Sequence, residues 1–349
     1  LARYLIFALF PFFAFSQQLS YSQNNPPKQH QFDANIQYNV PILMNADLLI
    51  GQVNSSQIPA LLEQTGNPAV TDSSVKEVVV HFLNKEKIGM RLGIGIGIKN
   101  CFNLSVQWTY LRGGNSTQKT FGATDPTAGL IITNLQILNT NYGNTVRGNS
   151  AEYKTDQNLY FNIGDLLVQT AAINAFQKIR FQPFGGLRYL SFKRSINDAL
   201  FDLGADTFAL AYARIRMHAI GALLGTDIKY IFSNYFHFFG SALYALLAGH
   251  QSLFATNQSN MGPSSIAQTF DEKFEIALNG QYEFRFGIGF DYAFKRALIA
   301  LRLAYELSSF LQEESNLVQT TISASSRQLL RTVDVVKHRA FVVGLTVGF

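Results

Sequence analysis

Apolar and polar residues alternate with a period of two along most of the chain. Phe32, Ala34, Ile36, Tyr38 and Val40 alternate with Gln31, Asp33, Asn35, Gln37 and Asn39. Met90, Leu92, Ile94, Ile96 and Ile98 alternate with Arg91, Gly93, Gly95, Gly97 and Lys99, and Phe102 to Tyr110 repeats the scheme. The longest stretch sets Phe274, Ile276, Leu278 and every second residue to Tyr292 against Lys273, Glu275, Ala277 and their successors to Asp291. A helix in that register would smear both faces around its cylinder, so these segments predict β-strands with one apolar and one polar face.

The connections are one-sided. Short turns are expected near Asn100, at 172–177, at 233–235 and at 293–297, and longer polar stretches at 46–87, 112–157, 193–207, 249–269 and 312–332. Outer-membrane barrels have this asymmetry, with short periplasmic turns and long external loops. The pattern predicts an all-β fold, a transmembrane antiparallel up-and-down barrel of about 10–12 strands. Val78 to Val80 and Leu130 to Ile132 are the places where a further hairpin could hide. A soluble barrel or jelly roll would alternate too, but would not need loops on one side. The final strand, Ala340 to Phe349, ends on an aromatic residue, and Phe349 is expected to serve as the assembly signal read by the barrel-assembly machinery.

The N-terminus changes the address. Arg3 precedes an apolar run from Tyr4 to Phe15, and Ala14 and Ser16 form a small-x-small site. Residues 1–16 are expected to be a signal peptide, leaving 17–349 as one barrel domain with long external loops in the bacterial outer membrane. Charged residues make up only 15% of the 349 residues, and no later apolar run is long enough for a spanning helix, which excludes a disordered chain and a helical membrane protein. A net charge of +5 is too mild to argue for nucleic acid, and the single cysteine, Cys101, offers no intramolecular disulfide.

A barrel in lipid turns its apolar faces outward and its polar faces to the lumen. The expected pore-lining residues are Arg180, Arg188, Arg214, Arg216, Glu275, Glu283, Arg285, Arg302 and Glu306, with Gln182, His218, His237, Ser241, Asn279 and Gln281 beside them. Arg180, Arg188, Arg214 and Arg216 are expected on one wall, and the glutamates opposite, creating a transverse field that biases ion passage. The bland alternative is that these groups pair and plug the barrel. Trp108, Tyr110, Tyr189, Phe236, Phe238, Tyr292 and Phe349 lie near strand ends and suit the aromatic girdles of the two interfaces.

Catalytic chemistry is thin. Gly93, Gly95 and Gly97 sit inside a strand, so they make no phosphate-binding fingerprint. The six histidines have no local metal-site spacing, and no nucleophile-elbow serine is found. No catalytic residue, metal or cofactor is expected, although an active site assembled from separate strands is an alternative.

Several segments resemble the major outer membrane proteins of Legionella and of the environmental chlamydiae. They are Leu92 to Arg112, Asn158 to Val168, Ile179 to Tyr189 with its Phe-Gly-Gly-Leu-Arg run, Gly221 to Gly249 and Ala297 to Glu306. The order and spacing match along most of the chain. The resemblance implies a porin-like barrel, a passive diffusion channel for small hydrophilic solutes, embedded in outer-membrane lipid and open to homo-oligomer formation. The alternatives are a non-conducting surface barrel whose loops mediate adhesion or partner binding, and an outer-membrane hydrolase.

Overall fold

The computed structural model describes residues 42–55, 60–65, 76–81, 85–98, 102–122, 130–134, 138–139, 145–148, 150–176, 178–203, 207–260, 266–294, 297–319 and 327–349. The expected signal peptide, the alternating stretch from Phe32 to Val40 and Cys101 lie outside the described residues. Ten long strands close on themselves. They are β1 (Ile42–Ser55), β2 (Lys87–Ile98), β3 (Phe102–Gly122), β4 (Ser150–Thr170), β5 (Ile179–Asp202), β6 (Thr207–Ile231), β7 (Phe236–Ser259), β8 (Ile266–Ala293), β9 (Leu298–Gln319) and β10 (Arg327–Gly348). Each pairs antiparallel with its sequence neighbour, and β1 pairs with β10 to shut the wall. The seam is completed by Phe349, whose N–H donates to the Ile42 carbonyl at 3.0 Å.

The strands are staggered. Crossing from partner to partner, Thr346 leads through Asn45, Gly93, Gln107, Asp165, Arg188, Gly221, Leu247, Asn279 and Gln312 back to β10 at Asp334, twelve residues from the start. A stagger of that size on ten strands sets a tilt of about 40°.

The alternating positions point as the period of two demands, up to a certain height. Near the short-turn end, Leu92, Ile94, Ile288, Leu303 and Val343 are exposed on the outside, while Asp47, Arg91, Asp165, Arg188 and Glu306 are buried within. On β6 the outward apolar positions run from Tyr230 to Ile220. Those ten steps, at about 3.3 Å each and tilted by about 40°, cover about 25 Å, the height of an outer-membrane apolar band.

Above that band the alternation inverts. On β6 the buried positions become Ala213, Ile215, Met217 and Ala219, and the outward ones Arg214, Arg216 and His218. On β5, Leu190, Phe192, Ile196 and Leu200 point in, and Lys193 points out. Water replaces lipid outside the wall there, so the apolar face turns to the lumen and builds a core as in a soluble protein. Leu159, Phe161, Met217, Leu253, Phe310 and Val336 belong to that core, with Arg194 and Asp198 buried beside it.

This inversion corrects the expected loops. The stretches at 193–207 and 249–269 are mostly strand, with β5 reaching Asp202 and β7 reaching Ser259. The strands of 24 to 28 residues between 179 and 293 exceed the roughly ten needed to cross a membrane. The candidate hairpins at Val78 to Val80 and Leu130 to Ile132 are strands, but of a separate four-stranded sheet formed by 76–81, 60–65, 130–134 and 145–148, so they add nothing to the barrel. The long alternation on β8 is also interrupted. Ala277 pairs with Gly249 but Phe274 pairs with Gln251, so a register shift separates the two halves of the strand.

Candidate functional site

The lumen is stratified. At the periplasmic mouth a cavity of about 360 Å³ is lined by Arg180, Gln182, Asp227, Lys229, His237, Asp291 and Arg302. Lys229 Nζ lies 3.4 Å from Asp291 Oδ2, and Gln169 donates to Asp227 Oδ2 at 2.7 Å. A second cavity of about 200 Å³ shares Gln182, Asp227, Lys229 and Arg302 with the first and reaches Asp165, Arg188, Glu283 and Arg285.

There an ion layer crosses the barrel. Arg91 on β2 donates to both carboxylate oxygens of Glu306 on β9, at 2.9 and 3.1 Å, to Glu283 on β8 at 3.3 Å and to Thr109 at 3.1 Å. Arg285 donates to the same Glu306 at 3.0 Å and to Glu283 at 3.2 Å, and stands 3.7 Å from Asp47. Arg188 on β5 grips Asp165 on β4 through two bonds of 2.7 Å and lies 3.6 Å from Glu283. Three guanidinium groups meet four carboxylates, and His338 borders Glu306 at 3.7 Å. Paired, bidentate geometry is what makes buried charge tolerable.

Above the ion layer the inward positions are mainly apolar, with Gln157, Arg194, Asp198 and Gln251 buried among them. Phe161 on β4 and Phe310 on β9 stand five strands apart around a ring of ten, so they face each other across the diameter, and their ring centroids are 4.7 Å apart. Phe192 packs on Phe161, also at 4.7 Å.

The expected pore residues divide accordingly. Arg180 and Arg302 line the mouth, and Arg188, Glu283, Arg285 and Glu306 form the ion layer. Arg214 and Arg216 do not line the lumen: they are on the outer face above the apolar band, Arg214 over the Phe254 ring at 5.6 Å. The expected arginine wall facing a glutamate wall is therefore replaced by direct pairing. Glu275 falls in the register shift of β8, and its side chain lies outside the described residues. Asp47, Arg91 and Asp165 were not among the expected set. Asp47 is the single charge of β1, and Arg91 and Asp165 are the lone charges of the stretches 88–98 and 158–170, and such a group at membrane depth is by itself a pointer to the interior.

The aromatic positions frame the apolar band. Phe236 packs on Phe290 at 5.1 Å and Tyr292 on Phe294 at 4.8 Å near the short turns, while Trp108 stacks with Tyr110 at 6.2 Å near the upper edge.

A closed antiparallel barrel with a lipid-facing apolar belt between aromatic rims is an outer-membrane β-barrel of bacteria. More particularly, the chain belongs to the family of the Legionella pneumophila major outer membrane protein precursor, whose pattern matches residues 25–339. No curated protein matches the chain. Among solved structures it is similar to the outer membrane protease OmpT from Escherichia coli, at 11% identity over 88% of this chain and 97% of that one, with a TM-score of 0.40. The translocator domain of the autotransporter NalP from Neisseria meningitidis is similar at 12% identity, 99% and 96% coverage and a TM-score of 0.29. A deletion mutant of the TodX monoaromatic hydrocarbon channel gives 9%, 89%, 91% and 0.32.

Proposed function

We propose that the protein is a closed surface barrel, one that holds its tall external wall and connections above the outer membrane for partner binding and does not pass solutes in this form. The observation carrying the reading is the contact of Phe161 with Phe310 across the full diameter, stacked above the crossed ion layer. A hydrated path needs a continuous polar section, and this pair interrupts it. The buried carboxylate of Asp165 is held by two guanidinium hydrogen bonds and that of Glu306 by three, which supports a structural use for them over acid–base work.

A second reading is a passive diffusion channel for small hydrophilic solutes. It is favoured by the charged cavity at the periplasmic mouth, which continues to the ion layer. Single-channel recording in a planar bilayer separates the two. The closed barrel gives no discrete steps in molar salt; stable unitary steps from the purified, heat-modifiable protein overturn it in favour of the channel.

A further inference from the structure

The outer face carries an unassigned cationic row. Arg112, Tyr160, Lys193, Arg216, Ser252 and Lys273 are successive cross-strand partners on β3 to β8, all at outward positions. Arg112, Lys193, Arg216 and Lys273 are exposed. Four residues below on the same strands, and five on β8 across its register shift, run Trp108, Gly164, Tyr189, Ile220, Ala248 and Leu278, the upper edge of the lipid-facing belt. On β3 to β7 the row between them, Tyr110, Asn162, Ser191, His218 and His250, is neutral or imidazole, with His218 and His250 directly paired. Among the described side chains no carboxylate lies in these three rows, and the nearest acidic one on this face, Asp271, is one row higher.

We propose that this row is a binding site for the phosphate groups of outer-leaflet glycolipid. Its height is that of the lipid headgroups, separated from the edge of the belt by a single uncharged or imidazole row, and its sign complements phosphate. Neighbouring strands lie about 4.8 Å apart, so the paired Lys193 and Arg216 can share one phosphate, with Arg112 two strands away for a second. The side chains are held in place. Arg112 lies over the Tyr160 ring at 5.6 Å, and Tyr189 OH meets His218 Nδ1 at 2.8 Å just below. The aliphatic stems can lie along the aromatic rim while the charged heads stay at the headgroup level. The site is independent of whether the lumen conducts.

The test uses the full-length barrel purified in a non-ionic detergent, with native mass spectrometry and fluorescence titration as readouts. The probes are a bis-phosphorylated outer-leaflet glycolipid, its enzymatically dephosphorylated form and inorganic phosphate. The wild-type barrel is expected to retain the phosphorylated lipid at least tenfold better than the dephosphorylated one. The triple variant R112Q/K193Q/R216Q should lose that preference while keeping heat-modifiable migration, and K193R should retain it. Equal retention of both lipids by the wild-type barrel overturns the proposal without recourse to any variant. Inorganic phosphate displacing the lipid at matching concentration overturns it in favour of a free-anion site.

Discussion

Arg91 and Glu306, three strands apart around the barrel, present two nitrogens to two oxygens at 2.9 and 3.1 Å in the interior. The same guanidinium also serves Glu283 and Asp47. Arg91→Ala therefore strands several buried carboxylates at once, and the loss is expected to be about 3–5 kcal/mol. Urea unfolding followed by tryptophan fluorescence and gel mobility measures it. Arg91→Met with Glu306→Leu should recover part of the loss, since the apolar pair removes charge from both sides. A single variant no less stable than wild type removes the ion layer from the list of what holds the lumen.

The Phe161 and Phe310 contact stands above the ion layer and has its own energetic weight. Phe161→Ala deletes a fully buried ring that also touches Phe192. A destabilisation of about 3–5 kcal/mol is expected from the lost burial and the cavity left behind. Combined with Arg91→Ala it should not be simply additive if the two layers relax together, and a double-mutant cycle reports the coupling.

Outward substitutions should depend on height. Leu303→Arg places a charge on a lipid-facing position that is 63% exposed, within the belt, and is expected to cost about 2–4 kcal/mol in bilayers. Asn197→Arg, exposed above the belt on β5, should cost almost nothing. Refolding into vesicles of defined thickness compares them; equal penalties at both positions contradict the assigned boundary.

Gly114 has a φ of +131°, and a Cβ there would collide with the carbonyl oxygen of Gln157 on the paired strand. Gly114→Ala should lower stability by about 1–3 kcal/mol through backbone strain and loss of that close approach. Thermal gel-shift midpoints suffice to detect it.

Phe349 closes the seam with Ile42 through its backbone while its ring faces outward. Phe349→Ala should therefore leave the midpoint of unfolding of the purified barrel nearly unchanged, because the backbone bonds to Ile42 survive the loss of the ring. Heat-dependent gel mobility measures the midpoint; a clear fall means that the ring, too, holds the seam.

The period of two made the strands and the belt legible, because Phe286, Ile288 and Phe290 could alternate with Arg285, Gly287 and Gly289 in no other backbone. Arg214 and Arg216 escape the lumen for a definable reason. A polar face marks the lumen only where lipid lies outside, and β6 continues well above it. The pairing of Arg188 with Asp165 was hidden because it needs the register between β4 and β5, which alternation alone leaves open by any even number of residues. The full strand length has a related cause: above the belt Lys193, Asn197, Arg214 and Arg216 face water, so the segment carries the polarity of a loop although Leu190, Phe192, Ile215 and Met217 form an apolar inner face.

The inverted upper wall has a consequence for how the surface can change. On β6 the strand runs thirteen residues beyond Ile220, from Ala219 to Thr207, which at a tilt of about 40° is a stalk about 30 Å tall. Its own interior of Leu190, Phe192, Ile215 and Met217 supports it without help from the bilayer. The strand ends at Asp202, Thr207, Ser259 and Ile266 are thus carried on a mast. Insertions or replacements there are mechanically decoupled from the step that threads the lower wall into lipid, so the surface can be rewritten while the anchor stays the same.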